Sequence, residues 1–394
     1  MNKRKLIVCT INAVLLVLYP VLDIYLFWNL PIGIGSVLLI ITGLISIFFV
    51  GPILDNKNTI YWILSLMGVS LLTLMVQMHE IWFSSELWWH NTVVTAYILF
   101  IIYSSGSRIN IGVFFKFGLV FAVVASVVCI YQRLMLIFTG SFDLFYLQGL
   151  RMIKDVGRIT LLRPSAFFTE PAHLCIFIVP MMHYAMLNKR LVSAIIIAIG
   201  TLASGSTTGF LLLGVLLTVF VFTNAKGKIK FFYVLAFFVA AFLVAKYFPT
   251  LFEDNIEKIN ETNMDSNIRL LGGALVWRFF EFKDYLFGIG LNQLESFAAT
   301  YGYFTKNYSA AIIFVVTSFG LFGLAVTVYY IVSLFKKKQA DYGSILIFLG
   351  IFFSDQILFN RHLVYLLVFA ECMRLYIIQH KQDMLHENQI QKQS

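Results

Sequence analysis

Charge is what this sequence has least of. Asp, Glu, Lys and Arg make up 12% of its 394 residues, about half the share found in soluble domains. A water-soluble fold is therefore excluded as the first reading. Cysteine offers no scaffold either. The four present, Cys9, Cys129, Cys175 and Cys372, are isolated, lie mostly inside apolar runs and form no CxxC pair. Neither a disulfide framework nor a zinc site is indicated. No GxxxxGK[ST] motif occurs, and no polar segment is large enough to fold around ATP, which excludes direct nucleotide use. Asp and Glu form no cluster that calls for a metal, so no metal and no other cofactor is expected.

What is there instead is hydrocarbon. Hydrophobic residues make up 60% of the chain, with 40 Phe among them. This composition predicts an all-α polytopic integral membrane protein. The formal net charge is +9, but the excess sits mostly in short loops between apolar runs. That pattern points to membrane topology rather than to nucleic acid. The opening "MNKRK" and the apolar run behind it resemble a signal peptide. The run lacks a small-residue cleavage site and outlasts an h-region, so an uncleaved first span is expected.

A span needs about 20 apolar residues. Twelve segments of a single membrane domain qualify: 6–28, 31–50, 60–78, 91–105, 113–137, 172–187, 191–204, 207–223, 231–248, 308–335, 342–359 and 363–378. With the amino terminus inside, the cytoplasmic segments collect Lys3, Arg4, Lys5, Lys57, Arg108, Lys189, Arg190, Lys226, Lys228, Lys230 and Lys336 to Lys338. The polar tail, 379–394, falls on the same side, so both termini are expected in the cytoplasm. Two long loops, 138–171 and 249–307, fall outside and break the charge rule. The first holds Arg151, Lys154, Arg158 and Arg163; the second holds Arg269 and Arg278 among more numerous acids.

Arginine presents a planar fork of donors that fits phosphate oxygens. A cluster of arginines kept outside therefore points to an anionic ligand, although each one alone is also explained by headgroup contact or a local ion pair. In "RPSAFFTEPAH", residues 163–173, Glu170 precedes Pro171 and is pushed to extended backbone, while Pro171 can open the next helix. Glu170 is then either a helix-start carboxylate favoured by the dipole or a general base. His173 follows on the same face, as an interfacial histidine or as the partner of Glu170. "GIGLN", residues 288–292, reads as a tight turn, and the stretch around Arg269, Trp277 and Arg278 as an amphipathic helix. Near span ends, "SDQILFNRH" sets Asp355, Gln356, Asn360, Arg361 and His362 at a costly depth. Glu371 and Arg374, three apart, are expected to pair. Asp23 and Arg133 carry no assignment.

These stretches carry a resemblance. "RPSAFFTEPAH" resembles the "RpxGfFxEPs" signature of Wzy-type polysaccharide polymerases of the O-antigen polymerase and ligase superfamily. "LASGSTTGFLLLGVLL" resembles the family's "lSgSRtGllal" span, "IRLLGGALVWRFFEFKDYLFGIGLNQ" its "sRlxxwxxalxxfxxxPlfGiGxxn", and "KNYSAAIIFVVTSFGLFGL" its "HNxyLxxlxxxGlxGl". The ordered set covers residues 158–324. Thr207 stands where the family pattern has arginine, Lys306 where it has histidine, and Ala166 where it has glycine.

The resemblance implies a metal-independent glycosyltransferase in a bacterial cytoplasmic membrane. A growing glycan on undecaprenyl pyrophosphate would pass to the distal sugar of a second lipid-linked repeat unit at the outer face, with undecaprenyl pyrophosphate as leaving group. Membrane lipid and a chain-length regulator protein are its implied partners; nucleic acid is not. Arg158, Arg163, Arg269, Arg278 and Arg361 would hold the pyrophosphate, with Glu170 or His173 as base and Asn292 and Asn307 orienting sugar hydroxyls. Two alternatives stand beside it: a flippase for the same lipid-linked oligosaccharide and a ligase-type transferase. Against the flippase are the two unequal outer loops, the lack of an evident two-fold repeat and the few charges at mid-bilayer.

Overall fold

The computed structural model describes residues 3–28, 32–143, 145–147, 150–152, 163–224, 273–305, 309–337 and 339–393. Among them the chain is helical, with no strand and only two isolated bridges, Tyr25 with Met152 and Leu26 with Gly33. In chain order the helices are α1 (Lys3–Leu22), α2 (Ile34–Phe49), α3 (Lys57–Gln77), α4 (Ser85–Ile101), α5 (Ile111–Thr139), α6 (Pro171–Leu187), α7 (Leu191–Ala203) and α8 (Thr207–Asn224). Three short helices follow, α9 (Gly273–Val276), α10 (Phe282–Phe287) and α11 (Leu294–Thr300). The last three are α12 (Ala311–Lys336), α13 (Tyr342–Ser354) and α14 (Arg361–Gln393). Among the described residues, five helices are long and apolar enough to cross a membrane: α1, α3, α5, α12 and Arg361–His380 of α14. Several helices of this kind are the mark of a multi-pass membrane protein. Large apolar side chains point outward from the long and the shorter helices alike, Phe138 on α5 and Tyr329 on α12, Phe48 on α2 and Val192 on α7, as suits a hydrocarbon solvent rather than water.

Each expected apolar segment coincides with a helix except 231–248, which lies outside the described residues. Local chemistry sets the ends. Ser84 accepts a hydrogen bond from the Leu87 N–H and starts α4 upstream of the expected boundary, as a capping hydroxyl does. That helix then runs into a π turn, Ile102–Gly106. Asn110 caps α5 through the Val113 N–H, and Gly140 closes it in the left-handed region. Helix α13 stops at Ser354, where Asp355 turns extended, so this segment is shorter than 342–359. The polar tail expected from 379 is instead continuous with α14, which reaches Gln393. The amphipathic helix expected around Trp277 is broken into α9, a 3₁₀ turn at Trp277–Phe279, and α10.

Small residues let the helices approach closely. A Cβ on Gly200 of α7 would stand 2.5 Å from the Ser126 Cβ of α5, and one on Gly209 of α8 would stand 2.6 Å from the Cys175 Sγ of α6. Packing of this kind replaces the hydrophobic drive that lipid cannot supply. Helix α3 lies on α12, where Trp62 stacks on Tyr330 at 4.4 Å and donates from Nε1 to the Thr327 hydroxyl at 3.2 Å. The carboxyl ends of α1, α5 and α7 and the amino ends of α6, α8 and α14 gather at one end of the bundle, here the motif end. The carboxyl ends of α6 and α12 and the amino end of α13 lie at the opposite end.

Candidate functional site at the motif end

The "RPSAFFTEPAH" segment is clamped by its neighbour in space. Gln132, buried on α5, accepts from the backbone N–H groups of Ser165 (3.1 Å) and Ala166 (2.8 Å) and donates to the Asp143 carbonyl (3.2 Å). The Ser165 hydroxyl donates to the Phe168 carbonyl at 2.8 Å, and Phe168 is buried. Ala166 is held at φ 52, the left-handed region that costs an L-residue about 1 kcal/mol and a glycine nothing. The glycine of the resembling motif fits this geometry. Glu170 is the extended N-cap residue of α6 and Pro171 its first helical residue, as the Glu-Pro order predicts. The Glu170 side chain does not cap the helix. One turn later, His173 pairs through Nδ1 with the Thr169 hydroxyl at 3.0 Å.

Two arginines converge on the turn between α7 and α8. Arg163 donates to the Gly205 carbonyl at 3.1 Å, and Arg133 donates from Nε to the Ala203 carbonyl at 2.7 Å. Carbonyls at a helix carboxyl end attract cations. Part of the Arg163 fork is therefore engaged in holding the scaffold. Arg133 brings a guanidinium to the turn that precedes Thr207, the position where the family pattern carries its arginine. Its sequence signal was only a charge near a span end.

The start of α14 completes this end. Asn360 accepts from the His362 N–H (2.9 Å) and the Leu363 N–H (3.4 Å), an asparagine cap. The His362 ring lies 4.2 Å from the His173 ring, so the first turns of α6 and α14 meet through two imidazoles. His362 is 1% exposed, and among the described residues neither ring nitrogen has a hydrogen-bond partner; the same holds for Arg361 Nε. Arg361 acts electrostatically on Asp23 at the end of α1, whose Oδ1 accepts from the Ser36 N–H at 2.9 Å.

The second loop forms a separate cluster on α3, α4 and α12. Gln77 donates to Asp284 Oδ1 (2.6 Å) and the Gly288 carbonyl (3.0 Å), and Thr73 donates to the Phe287 carbonyl (2.5 Å). Burial raises the Asp284 carboxyl above its ordinary range, against the bonds from the Glu281 N–H and Gln77. The hydrogen bond to Glu80 raises the Lys283 ammonium. The tight turn at "GIGLN" is present: Gly288, Gly290 and Asn292 sit at φ 74, 98 and 54. Helix α12 breaks at Gly320 (φ 63), which frees carbonyls of Thr317 and Ser318 for the N–H groups of Ile289 (2.9 Å) and Gly290 (3.1 Å). A Cβ on Gly288 would lie 2.4 Å from the Ser318 carbonyl carbon, and one on Gly320 2.4 Å from the Leu286 oxygen. Two glycine backbones cross here.

The expected site residues thus divide. His173 meets His362, the residue after Arg361, at the joint of α6 and α14, and Glu170 stands at the head of α6. Arg163 binds the neighbouring turn. Asn292 donates to Asn91 Oδ1 at 2.6 Å, and Arg278 is exposed between the rings of Phe279 (4.8 Å) and Tyr303 (4.5 Å); both belong to the second cluster. Arg158, Arg269 and Asn307 lie outside the described residues. Gln132, Arg133 and His362 are the residues that sequence reasoning left without a role. Compared with protein-family models the chain matches none, and no curated protein matches it.

Proposed function

We propose that this chain is a polysaccharide polymerase of the Wzy type in a bacterial cytoplasmic membrane. It has twelve spans, both termini in the cytoplasm, and the motif end at the outer face. The donor is a glycan on undecaprenyl pyrophosphate and the acceptor is the distal sugar of a lipid-linked repeat unit. One observation supports this most: Glu170 and His173, on the segment that Gln132 locks in place, begin α6 where Arg361 and His362 begin α14, with the two imidazoles 4.2 Å apart. A carboxylate and a cation at the heads of two adjoining helices suit displacement at a sugar carbon. The acceptor hydroxyl oxygen bonds to the anomeric carbon, the carbon–oxygen bond to pyrophosphate breaks, and the hydroxyl proton passes to Glu170. Undecaprenyl pyrophosphate leaves with the electron pair. The donor is already activated, so no nucleotide is consumed.

The test is glycan chain length in cells carrying Glu170→Gln or Arg163→Ala, with protein levels matched. Loss of long chains with single repeat units retained is expected. Unchanged ladders in both variants would refute the reading, and loss of single units as well would point to transport.

A further inference from the structure

The motif end holds a polar joint whose own chemistry is unfinished. His362 is enclosed, and a neutral imidazole carries one donor and one acceptor. Leaving either unmet in a buried place is costly. Among the described residues no protein group meets them, and the Arg361 Nε–H is in the same state. The ring of His362 faces that of His173 across 4.2 Å. The joint is also where α6, 17 residues, and α14, 33 residues, both begin. Each helix start carries about half a positive charge. Asn360 already takes the His362 and Leu363 N–H groups, so specific contacts fall to side chains while the two dipoles supply field. Asp23, just past the end of α1, is a carboxylate on which Arg361 acts electrostatically, and Glu170 stands at the head of α6.

We propose that the joint of α6 and α14 is a binding site for a phosphate-class anion. Arg361 Nε and one His362 nitrogen donate to its oxygens, and the other His362 nitrogen accepts from a ligand hydroxyl. An ester of pyrophosphate next to a sugar hydroxyl offers this pairing of acceptors and donor. The assignment rests on the polymerase reading and deepens it. It moves the main anion contact from Arg163, which is engaged with Gly205, to the head of α14, and it gives His362 a substrate contact. The same chemistry is offered by a phospholipid headgroup, so the source is part of the test.

The test uses the full chain in neutral detergent. All four cysteines are buried, so a thiol-reactive dye reports unfolding. Inorganic pyrophosphate is titrated against the melting transition of the wild type, Arg361→Gln, His362→Gln and, as control, Lys57→Gln, an exposed cation at the start of α3. Stabilisation by pyrophosphate is expected in the wild type and the control, with an apparent affinity at least tenfold weaker in the two α14 variants. If Arg361→Gln fails to fold, His362→Gln carries the comparison. Displacement by undecaprenyl pyrophosphate but not by phosphatidylglycerol would assign the site to the carrier lipid; displacement by phosphatidylglycerol would assign it to a membrane headgroup. No stabilisation of the wild type, or equal affinity in all proteins, would overturn the proposal. The glycan ladders of Glu170→Gln and Arg163→Ala separate the two ideas. Lost ladders with pyrophosphate indifferent to Arg361 and His362 would sink this site and keep the polymerase. Unchanged ladders with the affinity loss present would do the reverse.

Discussion

Two buried histidines, one at each end of the bundle, show opposite habits. His183 lies near the carboxyl end of α6, and its Nε2 meets Asp341 Oδ2 at 2.9 Å. Asp341 also accepts from the Ser344 N–H at 3.1 Å. Nearby, Glu371 pairs with Arg374 at 2.5 Å, as their spacing predicts, and with Lys337 at 2.9 Å. Buried Arg108 spends its guanidinium on the Val50, Tyr103 and Ser104 carbonyls. At the motif end, His362 has a ring neighbour and no hydrogen-bond partner among the described residues. At one end the buried histidine, the Glu371 carboxylate and the Arg108 guanidinium are all bonded within the protein, as a scaffold requires. At the other, both His362 ring nitrogens and the Arg361 Nε–H have no hydrogen-bond partner among the described residues. Substitutions at the two ends should therefore separate stability from function.

The largest stability effect is expected from Glu371→Ala. It leaves Lys337 and Arg374, both largely enclosed, without their carboxylate. Breaking a buried pair in this way costs about 3–5 kcal/mol. The dye-detected melting midpoint should fall steeply, while the glycan ladder per folded molecule is unchanged. A ladder lost in protein that remains folded would break the division between the ends.

Asp341→Asn comes next, at about 1.5–3 kcal/mol for a hydrogen bond to a charged group. Burial pushes the Asp341 carboxyl up, but the bond and charge of His183 and the bonds from Ser344 outweigh it and hold the carboxyl below its ordinary value. A carboxyl with a lowered folded-state value adds stability above its unfolded value. That stability is lost as pH falls through the folded value. The acid side of the stability curve should therefore be flatter in Asp341→Asn than in the wild type. Parallel acid limbs would remove Asp341 from the scaffold of that end.

Gly320→Ala tests the second cluster at a comparable size. Its left-handed backbone and the crossing with Leu286 leave no room for a Cβ, and such strain costs about 1–3 kcal/mol. The docked turn at 288–290 should come loose from α12, seen as new protease cleavage between α10 and α11. Wild-type cleavage would show that the crossing is not needed to hold the loop.

Much of the scaffold was legible because it is written locally. Long apolar runs became helices, Glu170-Pro171 opened α6, "GIGLN" formed its tight turn, and Glu371 found Arg374 three residues on. What stayed hidden depends on groups far apart in sequence. Asn292 satisfies itself with Asn91, 201 positions away, so its amide is engaged in the scaffold. Gln132 grips a loop 33 positions on, and nothing in its own apolar helix announces that. The break in α12 was masked because Gly320 sits in an unbroken apolar run, where only the approach of Leu286 and Gly288 gives it a reason. The state of His362 was hidden for the same cause. A histidine at a helix start looks alike with or without a partner until its neighbours are placed.

The smallest stability effect is expected at the most informative position. His362→Phe removes a ring whose nitrogens make no hydrogen bond within the described protein and replaces it with an apolar ring of similar shape against His173. Replacing an unmet polar group by an apolar one is close to neutral, so the midpoint should move by less than about 1 kcal/mol. The identical change at His183 takes one partner from the buried Asp341 carboxylate and leaves it to Ser344 alone, at about 1–3 kcal/mol. The two melts, run side by side, measure the difference between a histidine that belongs to the scaffold and one that faces a ligand. The glycan ladder should then invert the order, with long chains lost in His362→Phe and retained by whatever His183→Phe protein folds. Equal stability losses would mean that His362 is bonded within the protein after all, and the two ends would no longer differ in kind.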